Sequence, residues 1–467
     1  MYDVVFIGAG PAGYVGAIRA AQLGLKTAIV DKEWLGGVCL NVGCIPSKAL
    51  LKNAEIVRTL RTEAKTFGIA GVEHLSFDYA TAVKRSRQVS QRLTKGVGFL
   101  MRKNGIQVFM GTARITRPGE VLVTPNDGGE PQRLETRHIV VATGARPLVP
   151  PGWDVDGQRV LTYRPAILQK HYPRSAIIIG GGAIGVEFAT IWHSYGAQVT
   201  LVEMMPTLLP LEDEEVGKEL GKHYQRQGIK VLTGHKVEAI EATEQGVRVT
   251  VTDTKKGKTA TLEAEQALVA IGFRPNTENL GLEEVGVRLT DRGAIAVDER
   301  MATNVPGIWA IGDVTAKMML AHVGSAQGIL AAEAIAGRPV HPLDYEAMPR
   351  AVYGHPQVAA FGLTEAQARE RGYDITVAKF PFQANGKALA LNEGKGFIKL
   401  VVDKAYNELL GAHMIGPEVT ELLPELTLAR MMEITPAEIA RNVHAHPTLS
   451  EVLMEVAHVA LGEGIHI

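Results

Sequence analysis

Two glycine-rich turns, set in near-identical surroundings, constrain this chain more than any other feature. Gly8-Ala9-Gly10-Pro11-Ala12-Gly13 follows the apolar run Val4–Ile7 and opens a stretch rich in Ala, Arg and Leu. Gly180-Gly181-Gly182-Ala183-Ile184-Gly185 follows Ile177–Ile179 and opens a similar stretch. In such a turn the first glycine lets the backbone double back, the second admits a pyrophosphate, and the third lets helix lie against strand. The helix N-terminus then offers its amides and dipole to the phosphates. A single match could be an ordinary strand-to-helix turn. Two matches are harder to assign that way, because each third glycine is followed at the same offset by an acid, Asp31 and Glu203. Each acid closes a second apolar run, Thr27–Val30 and Val199–Val202.

A carboxylate at that position accepts hydrogen bonds from ribose hydroxyls and repels a 2′-phosphate. With no Arg beside Glu203, the second site favours NAD over NADP. The competing reading of both acids is a surface carboxylate ending a strand. The repeat also closes alike in its two copies, with Val141-Ala142-Thr143-Gly144-Ala145-Arg146-Pro147 and Val269-Ala270-Ile271-Gly272-Phe273-Arg274-Pro275. From third to closing glycine the first copy is longer by roughly half, and both cysteines fall early in its longer interval.

The 467 residues suit about three domains. Pro150-Pro151-Gly152 marks a crossing into the second unit, and from about Met348 the pattern changes to strand-like segments followed by helices. The balance of Lys+Arg 49 against Asp+Glu 50 leaves no footprint for nucleic acid or an anionic membrane. No apolar run is long enough to span a bilayer, and the start runs straight into a strand pattern without a leader. The expected address is the cytoplasm, where two cysteines in so long a chain do not make a disulfide framework.

Those cysteines stand in Cys39-Leu40-Asn41-Val42-Gly43-Cys44, ahead of Pro46 and the helix-forming Ser47-Lys48-Ala49-Leu50-Leu51. Cys44 would then sit near a helix N-terminus with Lys48 one turn on, and both favour a thiolate. A structural disulfide or two buried thiols are the bland alternatives. A metal site is disfavoured, since two thiols without a nearby His or Cys leave a tetrahedron half filled.

The run Gly36-Gly37-Val38-Cys39-Leu40-Asn41-Val42-Gly43-Cys44-Ile45-Pro46-Ser47-Lys48 resembles the redox-active signature of the pyridine nucleotide–disulfide oxidoreductases, and within them the dihydrolipoamide dehydrogenase branch. The likeness extends to His444-Ala445-His446-Pro447-Thr448-Leu449-Ser450-Glu451. It implies an α/β fold: two Rossmann-like dinucleotide-binding units, for FAD and NAD, and a C-terminal α+β dimerisation unit. The divisions expected are 1–148 for FAD with the cysteine insertion, 149–275 for NAD, 276–347 completing the FAD unit, and 348–467 for the interface.

Residue by residue, the resemblance gives Cys39 and Cys44 as the redox disulfide. FAD is held by Gly8, Gly10, Gly13, Asp31, Lys48, Gly111, Thr143, Gly144 and Asp313, with Met319 and Ala321 bringing a helix N-terminus to the flavin. Glu187 pairs with Lys48. Gly180, Gly182, Gly185, Glu203, Val237 and Gly272 hold NAD. His446, oriented by Glu451, serves as base in the partner's active site of a homodimer. Read from its neighbours alone, His446 merely precedes a Thr448-x-x-Glu451 capping box, and His444 is structural.

The implied activity is oxidation of dihydrolipoamide, or of the lipoyl domain of an acyltransferase or glycine cleavage protein, on a multienzyme complex core. No nucleic acid, membrane or metal enters. Glutathione reductase is the weaker match because Glu203 disfavours NADPH, and mercuric reductase because no further cysteine pair stands near the C-terminus. A flavin transhydrogenase would not require both cysteines, and a purely docking role is the rival from outside catalysis. Departures from the family pattern are the short Asp31–Gly36 segment, Gly354-His355-Pro356 where Thr, another residue and Pro are usual, and Lys387 where Arg is frequent.

Overall fold

The computed structural model describes residues 1–467. Each glycine turn joins the central strand of a parallel sheet to the helix behind it. In the first sheet Tyr2–Ile7 is flanked by Thr27–Asp31 on one side and Gln132–Val141 on the other, with Gln107–Arg117 and Ile308–Ala310 outermost. In the second, Ser175–Ile179 is flanked by Gln198–Glu203 and Gln266–Val269, with Lys230–Thr233 and Val160–Leu161 outermost. The strand order is the same. Its fifth strand comes from opposite directions: Ile308–Ala310 follows the whole second unit in sequence, whereas Val160–Leu161 precedes its own fingerprint. Central strands buried on both faces read as continuous apolar runs, as parallel sheets require.

A three-stranded antiparallel layer extends each sheet. In the first unit the strands Gln107–Arg117 and Gln132–Val141 serve both layers without interruption. In the second, Gly234 separates Lys230–Thr233 from His235–Thr243 with a φ of +66°. The extra length of the first unit lies between its second and third strands. There the helices Gly37–Val42, Cys44–Arg58 and Tyr79–Lys103 replace the one helix, Glu214–Gln227, of the second.

The closing motifs of the two copies meet. Ala145–Pro147 pairs antiparallel with Phe273–Pro275, so the chain leaves the first unit and returns to it along one short ribbon. The return stretch ends in helix Ala321–Ile335, which packs on Pro11–Gln22. The last unit is a five-stranded antiparallel sheet of Arg350–Val352, Gln357–Gly362, Leu409–Gly416, Phe397–Asp403 and Ile375–Pro381. Helices Val419–Met431, Pro436–Arg441 and Glu451–Ala460 cover one face through Leu423, Leu426 and Val456. The other face shares a core with the second unit, where Val358, Phe397 and Ile415 meet Val186, Leu208 and Tyr224. Lys399 is 2% exposed there and needs its acids, Asp213 at 3.2 Å and Glu365 at 2.9 Å. No helix is long and apolar enough to cross a membrane.

Candidate active site: a cysteine pair between two dinucleotide turns

The two turns agree bond for bond. Gly8 and Gly180 have φ of +109° and +107°, and each N–H donates to the second strand, to Val30 O at 2.7 Å and Val202 O at 2.8 Å. A Cβ on Gly13 would lie 1.9 Å from Gly8 O, and one on Gly185 1.9 Å from Gly180 O. Those four glycines are therefore required by the polypeptide itself. Gly10 and Gly182 are different. Both have ordinary extended backbone, and a Cβ would meet nothing closer than 4.0 Å at Gly10 and nothing within 4 Å at Gly182. Their missing side chains leave open space in front of helix N-termini that carry no side-chain cap and no acid in the first turn. A pyrophosphate placed in that space would satisfy those amides.

The acids brace the turns. Asp31 Oδ2 accepts from Ala9 N–H at 2.7 Å, and Glu203 Oε2 from Gly181 N–H at 2.6 Å. The second oxygen of Asp31 accepts from Glu33 and Trp34, and that of Glu203 from Met205. Each acid thus stands beside its turn with lone pairs left for a ribose. Gly111 follows Met110, the strand partner of Asp31, and Val237 lies just beyond Thr233, the partner of Glu203. Thr143 and Gly144 are stitched to Asn276 by the Thr143 hydroxyl and by both amide groups of Asn276, while Gly272 is exposed with φ +125°.

Cys39 lies in the short helix Gly37–Val42, and Cys44 is the first residue of the next, with Gly43 making the break. Asn41, buried between them, holds the loop by donating to Leu35 O and Gly37 O. Both cysteines are half-buried thiols hydrogen-bonded to one another, and the pair is strongly asymmetric. The hydrogen bond from Cys39 pulls the Cys44 thiol down, and the Lys48 ammonium adds to this against burial and Glu187. Cys39 is pushed up by the same hydrogen bond and by burial. Cys44, first in its helix and one turn from the Lys48 ammonium, is thus the member of the pair whose thiolate is favoured. Lys48 Nζ donates to Glu187 Oε1 at 2.8 Å and Oε2 at 3.0 Å. Burial pulls the Lys48 ammonium down, and Glu187 more than reverses it, so Lys48 stays charged.

Residues 2–328 match the pyridine nucleotide-disulphide oxidoreductase family and residues 348–457 its dimerisation domain. The chain belongs to this family. Proteins named dihydrolipoyl dehydrogenase are 51% identical in Mycobacterium leprae, over 100% of this chain and 99% of the relative, and 44% identical in Bacillus subtilis with the same coverage. The crystal structure of LpdA from Mycobacterium tuberculosis is 28% identical with a TM-score of 0.90, covering 98% of this chain and 99% of that one. The HOCl-induced flavoprotein disulfide reductase RclA from Escherichia coli is 27% identical with a TM-score of 0.87, covering 98% and 100%.

One further group stands near the first turn. Asp313 follows the fifth strand of that sheet, and burial alone pushes its carboxyl up to about 6. A ligand hydroxyl donating to it would relieve that penalty. Met319 lies two residues ahead of Ala321, the first residue of an uncapped helix.

His446 is not brought to the cysteines by its own chain. Its ring is 79% exposed and its hydrogen-bond partner is Glu451, with Nδ1 and Oε1 2.8 Å apart. Burial works to raise the Glu451 carboxyl, but the Thr448 amide and the His446 ring outweigh it and hold Glu451 charged. A carboxylate partner can only accept, so Nδ1 carries the proton of this hydrogen bond. The capping-box reading is corrected here. The last helix begins at Glu451 with Ser450 before it, and the Thr448 hydroxyl turns to Ala445 O and Ser450, so only the Glu451 half of the box forms. His444 is buried against Glu425. No motif marks Tyr353, whose ring lies against Lys48, and the one hint of Asn41 as a brace is its place between the two cysteines.

Proposed function

We propose that the chain oxidises dihydrolipoyl thiols to the lipoyl disulfide with reduction of NAD+ to NADH, through the Cys39–Cys44 pair. The observation that carries this is the placement of the cysteine pair: Cys44 opens a helix whose next turn bears Lys48, paired with Glu187 at 2.8 Å. The full-length likeness to dihydrolipoyl dehydrogenases supports the substrate. Residues 1–148 with 276–347 hold FAD, 149–275 hold NAD, and 348–467 make a homodimer, the dimerisation domain being the basis for the last. The address is cytoplasmic, and the partner is the lipoyl domain of a 2-oxoacid dehydrogenase or glycine cleavage complex.

His446, supplied by the partner subunit, takes the proton of one substrate thiol, while Glu451 supports the charge that forms on the ring. The thiolate attacks Cys39, the Cys39–Cys44 bond breaks, and Cys44 leaves as a thiolate stabilised by Lys48 and the helix N-terminus. The second substrate thiol attacks the substrate sulfur of the mixed disulfide. It closes the lipoyl ring and passes its proton to Cys39 as that sulfur leaves. Cys39 thiol, Cys44 thiolate and protonated His446 then hold the two electrons and two protons. FAD, when bound, supplies the two-electron connection between this dithiol and NAD+. Glu203 holds the ribose of NAD and excludes a 2′-phosphate.

Steady-state NADH formation from dihydrolipoamide and NAD+ tests the reading, with glutathione and NADPH assayed beside it. Turnover of glutathione disulfide by NADPH, with none of dihydrolipoamide, would overturn it.

A further inference from the structure

The bend Tyr353-Gly354-His355 belongs to the last unit, yet it is seated on the helix that carries Glu187. Tyr353 N–H donates to Glu187 Oε1 at 3.3 Å, and Lys48 Nζ stands 4.5 Å from the centroid of the Tyr353 ring. Gly354 lies so close that a Cβ there would come within 2.7 Å of Val186 Cγ1 and 2.9 Å of the Tyr224 hydroxyl. That hydroxyl is bonded to Val186 O and Thr190 Oγ1, and His355 N–H donates to the same Thr190. The bend therefore runs along one turn of helix, from Val186 to Thr190. Lys48 is gripped from two sides, by a carboxylate and by an aromatic face. The face attracts the ammonium through its quadrupole and restrains it one turn from Cys44.

We propose that Tyr353 is a positioning residue for the redox pair: its ring and its backbone N–H fix the Lys48–Glu187 pair so that the ammonium sustains the Cys44 thiolate. The proposal rests on the reading of Cys44 as the thiolate of the pair. It calls for an aromatic face at 353 rather than a hydroxyl. It also gives the dimerisation unit a part in the redox centre of its own chain. A residue that only fills space at this junction would affect stability and leave the titration of Cys44 alone.

The experiment uses the holoenzyme carrying Cys39→Ser, in which Cys44 is the remaining thiol of the two. The rate of alkylation by iodoacetamide is followed against pH. Tyr353→Leu moves the midpoint upward by about half to one pH unit, so that three- to tenfold less thiolate is present on the acid side. Tyr353→Phe leaves the midpoint with the parent. Gly354→Ala keeps the ring but lifts the bend from Val186 and Tyr224, so it moves the midpoint the same way by less. That variant decides the matter if Tyr353→Leu does not fold. An unmoved midpoint in Tyr353→Leu, or a Tyr353→Phe shifted equally, overturns the proposal. A parent midpoint at the value of an unperturbed thiol removes the Cys44 reading and the proposal with it. A low parent midpoint that shifts as stated, in an enzyme that does not turn over dihydrolipoamide, upholds the positioning role and fails only the substrate assignment.

Discussion

The turn at Gly8–Gly13 and the turn at Gly180–Gly185 share strand order, register, φ values and the acid that braces them, yet only the first has cysteines beside it. The backbone frame specifies a place for a dinucleotide and nothing more. What separates the two copies is the helical insertion between the second and third strands of the first, which carries both cysteines. The bracing acids differ in reach: Asp31 accepts from three amides, while the longer Glu203 accepts from two.

Removing chemistry from the first unit tests this contrast most strongly. Cys44→Ser should lower dihydrolipoamide turnover by at least about 10³-fold, while NADH binding, read by equilibrium dialysis, stays at the wild-type level. His446→Gln should cost about 10²–10⁴-fold, and an isolated heterodimer of a Cys39→Ser subunit with a His446→Gln subunit should recover toward half the wild-type rate. A heterodimer as inactive as both parents would assign His446 to its own chain or to no role as base.

In the second unit the corresponding effect is on choice rather than rate. NAD should beat NADP in kcat/KM by about a hundredfold, and Glu203→Ala should remove at least about tenfold of that. Equal use of both nucleotides by the wild type would remove the role assigned to Glu203.

Within one turn, the glycines themselves can be separated. Gly185→Ala should destabilise the protein by about 3 kcal/mol or more, because its Cβ meets Gly180 O. Gly182→Ala meets no protein atom, so thermal unfolding should be unchanged while KM for NAD rises about tenfold or more. A loss of stability in both would mean that the open space at Gly182 is not reserved for a ligand.

The smallest effect is an acid sensitivity at His223, where the second unit meets His355 of the last. His223 is 5% exposed, and burial pulls it down to about 4. Between pH 6.5 and 4 the unfolded chain binds a proton there that the folded chain does not, so stability falls as pH falls through that window. His223→Gln should reduce the loss by about 1–3 kcal/mol, measured by urea unfolding at pH 7 and pH 5. An identical pH dependence in the variant would place the sensitivity elsewhere.

Much of this arrangement was legible in the chain because it is local. Strand, turn, helix and acid follow within one repeat, so periodicity and glycine spacing reveal them together. The start of a helix at Cys44 was likewise readable from Pro46 and the residues after it. The pairing of Lys48 with Glu187 came from family likeness alone, since nothing in their spacing brings them together. Tyr353 was invisible for the same reason, with no motif to mark it. The strand Val160–Leu161 is too short to announce itself by alternation, and the site of His446 depends on a second chain.

The separated fifth strands have a consequence for how the molecule is made. All five strands of the second sheet lie between Val160 and Val269, so that unit can close as soon as this segment has left the ribosome. The first sheet has no such freedom. Its outer strand Ile308–Ala310 and the helix Ala321–Ile335 that rests on Pro11–Gln22 are translated after the entire second unit. The half that begins the chain must therefore wait with Ile139–Val141 as an open edge, exposed to wrong partners, until its neighbour is already built.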